Sequence, residues 1–306
     1  MNKKAHLAGL GFSIIFGFSF LFSKLALSNI APMGLLAYRF LIAFIVFFLL
    51  KVTKIIYFKF EKHMLFVIVP VIVFQPVLYF IFETYGLDLT SSGEAGLMIA
   101  LIPIFVALLS AMLLHEKPSL FQVVFIMISV SGVILIQTYK SFELGSSIWG
   151  FMLLFGAVIS AAFYNISSRH ANQSYRASDI TYLMMMAGAI TFNSIYMIDL
   201  LIKGEIQSYM TNLYAFDVFF PVFILGAIIS TGGFFLVNYT LHHMPAHISS
   251  IYTNLSTIVA LLAGAIFLEE TISVYHVIGS ILIIAGVYGT IVIQNMKAAK
   301  KASLSS

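Results

Sequence analysis

Long apolar stretches follow one another along almost the whole 306-residue chain, with only short polar connections between them. A helix needs about 20 apolar residues to cross a bilayer. On this basis ten spans are placed at residues 7–27, 33–50, 64–86, 92–114, 119–138, 148–168, 179–202, 217–241, 247–268 and 272–295. Only 9% of the residues are charged, against roughly 25% in soluble domains. The sequence excludes an ordinary cytosolic enzyme and predicts an all-α integral membrane protein with ten transmembrane helices.

The positive charges indicate how these spans are oriented. The first span follows two lysines as a signal peptide does, but it is longer, and we expect it to be retained. Ten spans place both termini on one side. Twelve of the sixteen Lys and Arg residues fall on that side: Lys3, Lys4, Lys51, Lys54, Lys59, Lys62, Lys117, Arg169, Arg176, Lys297, Lys300 and Lys301. By the positive-inside rule, we expect a multi-pass protein of the cell (inner, cytoplasmic) membrane with both termini in the cytoplasm.

The two halves of the chain resemble each other. A shift of 154 positions places Tyr85 on Tyr239, Leu87 on Leu241, Glu116 on Glu270 and Gly132 on Gly286, and a shift of 145 places Lys24 on Arg169. Five spans per half is an odd number, so the second half crosses the membrane in the opposite sense. The sequence thus predicts two inverted five-helix repeats, at residues 1–140 and 146–296, and a basic cytoplasmic tail at 297–306. Such repeats are typical of transporters that open alternately to each side.

Several short motifs in this order carry a family resemblance. They are Phe16-Gly17 and Lys24 in span one, Arg39 to Ala43 in span two, Gly86-Leu87, Pro103 and Ala107, Glu116, Gly132, and the second copy from Glu270 to Gly286. In these the chain resembles the EamA-type branch of the drug/metabolite transporter superfamily. The resemblance implies a ten-helix inverted-repeat transporter that moves small metabolites, often exporting amino acids, through a central cavity. The chain departs from the family pattern at Thr257, where a proline is expected, and at Phe16, where tryptophan is usual.

Polar residues at helical spacing predict where that cavity lies. Gln75, Tyr79 and Glu83 recur every four residues and share one face of span three, and Pro76 interrupts the backbone there. Polar stripes also follow spans six, eight and nine, so we expect these spans, with spans three and one, to line the cavity, and spans five and ten to act as scaffold. The predicted substrate-binding residues are Gln75, Tyr79, Tyr164, Asn165, Asn238, Tyr252 and Asn254. For a single hydroxyl or amide the alternative is a plain helix–helix contact.

Three charged residues, Lys24, Arg39 and Glu83, fall toward the outer ends of spans one to three. They form the predicted gating or charge network. The cations can hold a substrate carboxylate, or they can pair with Glu83 or extend toward lipid headgroups. Glu83 can carry protons or act as a charged brace, and we favour the brace because two cations share its end of the bundle.

No motif for another chemistry is present. His243 and His247 have helical spacing, but Pro245 separates them; Glu269-Glu270 resembles the paired glutamates of membrane-embedded CAAX-type proteases, but Val274 stands where their arginine is expected. We therefore expect no enzyme activity, no metal, no cofactor and no nucleic acid, and as partners a small-molecule substrate and the lipid bilayer. The alternative function is a membrane-embedded enzyme acting on lipid or prenyl groups. A homodimer through spans five and ten is left open.

Overall fold

The computed structural model of the chain describes residues 3–56, 63–90, 92–139, 147–267 and 272–304. This part of the chain is helical and contains no strand. Its main helices are α1 (Lys3–Leu27), α2 (Pro32–Val52), α3 (Met64–Leu89), α4 (Ser92–Ile99 and Ile102–Leu113), α5 (Leu120–Tyr139), α6 (Ile148–Ala171), α7 (Ala177–Lys203), α8 (Phe216–His243), α9 (Ala246–Phe267) and α10 (Val274–Leu304). A short helix, Ser208–Tyr214, connects α7 to α8.

Eight of these helices are long and apolar enough to cross a membrane: α1, α2, α3, α6, α7, α8, α9 and α10. Residues 102–113 of α4 and 120–136 of α5 are also apolar but shorter. An apolar multi-pass helical protein is thus shown, whereas the count of ten spans and the inversion of the repeat stay predictions.

Proline and glycine mark several helix ends. Pro32 opens α2, and Pro103 lies in the first turn of the second α4 segment; the fixed φ of proline suits a first helical turn, where its missing N–H has no partner to lose. Gly204 ends α7 with φ +71°, a left-handed conformation that glycine adopts without a Cβ clash. These local signals explain why the helices begin and end close to the predicted spans.

Small residues set the close packing of α5 against α10. A Cβ added to Gly132 would lie 2.5 Å from the carbonyl oxygen of Gly279, and one added to Gly286 would lie 2.5 Å from that of Phe125. Lipid tails are apolar, so the hydrophobic effect does not drive helices together inside a bilayer. Close approach stabilises the helix pair instead through van der Waals contact. These two helices are the spans predicted to act as scaffold, and α1, α3, α4, α6, α8 and α9 surround the interior.

Candidate substrate cavity

A cavity lies inside the bundle between α1, α3, α4, α6, α8 and α9. Its walls are polar at Gln75, Tyr79, Tyr164, Asn165, Ser249, Ser250 and Thr253, and apolar at Phe12, Phe16, Ile102, Ala161, Phe234 and Val237. The cavity volume, counted as the space open to the centre of a water molecule, is about 70 Å³. One water needs roughly 10–15 Å³ by the same measure. The cavity therefore has room for several waters or for part of a small solute.

The helix α3 is interrupted where it borders the cavity. Gln75 has extended backbone angles, φ −155° and ψ 119°, between helical neighbours, as expected for a residue that precedes proline. Its side chain is almost fully buried and lines the cavity. Irregular backbone at membrane depth is tolerated where it lines a cavity, and interrupted helices are typical of substrate sites in transporters.

A second irregular segment lies in α8, where residues Ile224–Gly233 form wide π-helical turns. The irregular part of α3 is Val73–Leu78, and the 154-residue shift carries these positions onto 227–232, inside the α8 segment. Wide turns of this kind often occur at functional sites. The two halves of the chain thus share a local backbone irregularity as well as matching residues.

Aromatic rings close one side of the cavity. Phe234 contacts Phe16 and Phe80 at ring-centroid distances of 5.3 and 5.8 Å, and Phe12 lies 5.8 Å from Phe16. The guanidinium carbon of Arg39 lies 4.5 Å from the centroid of the Phe80 ring. The ring of Phe80 therefore connects the aromatic wall of the cavity with a buried cation.

The predicted charge network is divided in the structure. Arg39 is buried and donates from Nε to Ser230 Oγ at 2.7 Å, while Thr84 Oγ1 donates to Glu83 Oε2 at 3.2 Å. Arg39 and Glu83 lie within electrostatic reach of each other. Lys24 instead donates to the carbonyl oxygens of Leu87 and Thr90, at 2.8 and 3.1 Å.

Four of the predicted substrate-binding residues, Gln75, Tyr79, Tyr164 and Asn165, line the cavity together. The polar stripe of span nine also contributes to the wall, with Ser249, Ser250 and Thr253 of α9. Gln75 and Tyr79 come from α3, and Tyr164 and Asn165 come from α6. Substrate binding by these residues stays a prediction, and their shared location makes it testable.

Asn238 lies in a buried network beside the cavity. Its Oδ1 accepts from Ser168 Oγ at 2.5 Å and from Asn172 Nδ2 at 3.2 Å, and its Nδ2 donates to Thr181 Oγ1 at 2.9 Å. Tyr164 OH also reaches Asn238 Oδ1, at 3.4 Å. Asn238 thus joins α8 to α6 and α7, and its contact with Tyr164 connects this network to a residue of the cavity wall.

The other two predicted residues lie on different helix contacts. Tyr252 OH is 2.5 Å from His6 Nδ1 of α1, and Asn254 Nδ2 donates to Ser129 Oγ of α5 at 3.1 Å. Both side chains are buried, and neither lines the cavity. The sequence did not predict the wall residues Phe12, Ile102 and Val237. The sequence pattern of an apolar residue is the same whether its side chain faces a cavity or lipid.

The fold and the cavity at interrupted helices define a multi-pass membrane protein with an internal polar site, and comparison with known proteins identifies the family. The chain belongs to the EamA-like transporter family, whose sequence model matches it twice, at residues 3–138 and 148–292. It is therefore a membrane transporter.

Individual relatives agree with this assignment. A protein named Uncharacterized transporter YcxC from Bacillus subtilis (strain 168) is 34% identical over 292 residues, which cover 94% of this chain and 92% of that one. An uncharacterized transporter from Archaeoglobus fulgidus (strain ATCC 49558 / DSM 4304 / JCM 9628 / NBRC 100126 / VC-16) is 28% identical over 71% of this chain and 74% of its own. A crystal structure with 16% sequence identity superposes with a TM-score of 0.75 over 95% of this chain and 99% of that chain, which shows the shared fold.

Proposed function

We propose that this transporter exports small metabolites, amino acids or related zwitterions, by alternating access. In this proposal ten spans form two inverted repeats, with both termini in the cytoplasm. The double family match and the related irregular segments of α3 and α8 support two equivalent halves. Two such halves can open in turn to each side of the membrane around one site.

The observation that carries the proposal is the cavity at the interruption of α3. Gln75 and Tyr79 face it from α3, and Tyr164 and Asn165 face it from α6. Both amide and hydroxyl groups are present, so a solute can find donors as well as acceptors. The aromatic wall offers an apolar surface to the rest of the solute.

The zwitterionic substrate class rests on a buried guanidinium group, Arg39, and a buried carboxyl group, Glu83. Tyr79 lines the cavity and lies within electrostatic reach of both Arg39 and Glu83. The guanidinium suits a carboxylate, and the carboxylate suits an ammonium group. A zwitterion presents both groups and leaves the site electrically balanced, whereas a substrate with net charge does not.

The test is substrate flux in proteoliposomes with a broad panel of amino acids and matched charged analogues. Tyr79→Phe removes one hydroxyl from the cavity, while Tyr288→Phe removes one from the exposed surface of α10. Loss of one hydrogen bond of about 0.5–1.5 kcal/mol predicts a roughly 2- to 12-fold rise in KM for Tyr79→Phe. Tyr288→Phe is expected to behave as wild type.

Two results count against the proposal. Saturable flux of other solutes, with none for any amino acid, contradicts the substrate class and leaves transport standing. Equal KM values for Tyr79→Phe, Tyr288→Phe and wild type contradict the assignment of the cavity as the substrate site.

A further inference from the structure

One ion pair joins the ends of four cavity-lining helices. Arg169 lies in the last turn of α6, and Glu116 follows the end of α4. The Nε atom of Arg169 lies 2.9 Å from Glu116 Oε1, and the two side chains are only 16% and 18% exposed. Exposed ion pairs contribute little to stability because water competes with them, but this pair is largely shielded from water.

The remaining atoms of the pair bind the ends of α8 and α9. Arg169 Nη1 donates to the carbonyl oxygens of Leu241 and His242, at 2.7 and 3.1 Å, and Glu116 Oε2 accepts the backbone N–H of Ala246 at 3.0 Å. The last carbonyls of a helix and its first N–H groups lack partners within the helix. A cation at the end of α8 and a carboxylate at the start of α9 also match the helix dipoles.

We propose that Glu116, Arg169 and these three backbone contacts form a latch that holds the cavity closed at this end. The inference rests on the proposed function. The helices α4, α6, α8 and α9 all contribute walls to the cavity, and the latch joins them at the end where α4, α6 and α8 finish. The cavity opens toward this side only when α8 and α9 separate from α4 and α6. Both residues are positioning residues, since neither lines the cavity.

The opposite end of the bundle repeats half of this arrangement. Lys24, near the end of α1, donates to the carbonyl oxygen of Leu87 near the end of α3. The shifts of 145 and 154 place Lys24 on Arg169 and Leu87 on Leu241. The cation–carbonyl contact therefore occurs at the related position of each half. Glu270, which the same shift relates to Glu116, lies outside the described residues, so the inference concerns the Glu116 end alone.

The chain contains no cysteine. A thiol-specific reagent therefore labels only a cysteine that is introduced by mutation. Thr253→Cys places this thiol in the cavity wall. A membrane-impermeant maleimide is added separately to each side of oriented proteoliposomes. With Glu116→Gln added, we expect labelling from the Glu116 side to rise roughly 5- to 150-fold, the range of typical conformational couplings. Labelling from the other side is expected to fall or stay constant, whereas general loosening of the fold raises both rates.

Two further variants keep the test informative if Glu116→Gln folds poorly. Arg169→Lys keeps the charge but lacks the planar fork that reaches Glu116 and two carbonyls at once, so it should raise labelling from the Glu116 side. The exchanged pair, Glu116→Arg with Arg169→Glu, restores an ion pair but puts each charge at the wrong helix end. We expect it to remain as open as the single variants.

The control is the Arg176–Asp179 ion pair, which also has a 2.9 Å contact but joins the N-cap residue of α7 to the first turn of the same helix. Asp179→Asn is expected to leave labelling unchanged. Wild-type labelling rates in folded Glu116→Gln and Arg169→Lys, or full restoration by the exchanged pair, overturn the latch. Increased one-sided labelling without flux of any tested solute supports the latch and contradicts the transport proposal instead.

Discussion

Replacement of Gly17 by alanine tests how tightly α1 packs on α9. Gly17 is buried and ends the regular helical stretch Lys3–Gly17 within α1. An added Cβ would lie 2.4 Å from Val259 Cβ and 3.0 Å from the carbonyl oxygen of Ser256, whereas ordinary contacts begin at 3.4 Å. Clearing Val259 therefore requires about 1.0 Å of movement (3.4 − 2.4). Because the Cβ of Val259 is fixed to its backbone, a rotamer change cannot provide this movement, and the helices must separate.

The expected cost follows from two opposing contributions. Alanine is favoured over glycine inside a helix by about 1 kcal/mol, and overpacking of a tight contact costs about 1–3 kcal/mol. Gly232→Ala is the matched control, because within the described part of the chain its Cβ would meet only Ile15 Cδ1, at 3.7 Å. Both glycines lie in helical segments, so the helix preference favours alanine in each variant. Gly17→Ala should therefore be less stable than Gly232→Ala by about 1–3 kcal/mol.

The free energy of unfolding can be measured by SDS titration in mixed micelles, with helicity followed by circular dichroism. Because Phe16, next to Gly17, lines the cavity, Gly17→Ala is also expected to lower substrate flux. Equal stabilities of the two variants, within about 0.5 kcal/mol, would refute the reasoning, since the overpacking cost alone is expected to be about twice that or more.

Three further predictions concern single residues. Asn238→Leu should cost about 1–3 kcal/mol in the same titration, because Ser168 and Thr181 lose buried hydrogen-bond partners; an unchanged unfolding midpoint contradicts this. Glu83→Gln should lower stability and keep any dependence of flux on a pH gradient if the residue is a brace, whereas loss of that dependence with flux retained makes it the proton site. Trp149, which is 67% exposed at the start of α6, should be quenched by shallow rather than deep brominated lipids because tryptophan favours the membrane interface.

Much of the fold follows from local features of the sequence. Apolar stretches of span length predict helices, and the ends of α2 and α7 follow from Pro32 and Gly204. The interruption of α3 follows from Pro76, which prevents a regular backbone at Gln75. At Thr257, where the family pattern has a proline, α9 continues as a regular helix. This is expected, because threonine keeps the backbone N–H that proline lacks. These features depend on neighbouring residues, so the sequence contains them.

The cavity was only partly predictable. The four-residue spacing of Gln75 and Tyr79 correctly grouped them on one face, and both line the cavity. On α9 the polar stripe did not distinguish Thr253, which lines the cavity, from Asn254, which contacts Ser129 of α5. Adjacent helical residues point about 100° apart, and a broad stripe covers both directions. Which direction faces the cavity depends on where the neighbouring helix lies.

The sequence by itself determined that the chain belongs in a bilayer, that its helices need about 20 residues each, and that its two halves resemble each other. Only the tertiary structure decided that Asn238 holds three helices together and that Glu116 and Arg169 meet across 53 residues of sequence. Both outcomes depend on how the helices are arranged around one another. In lipid that arrangement comes from close packing and from the pairing of buried polar groups, and these contacts join residues that no local pattern connects.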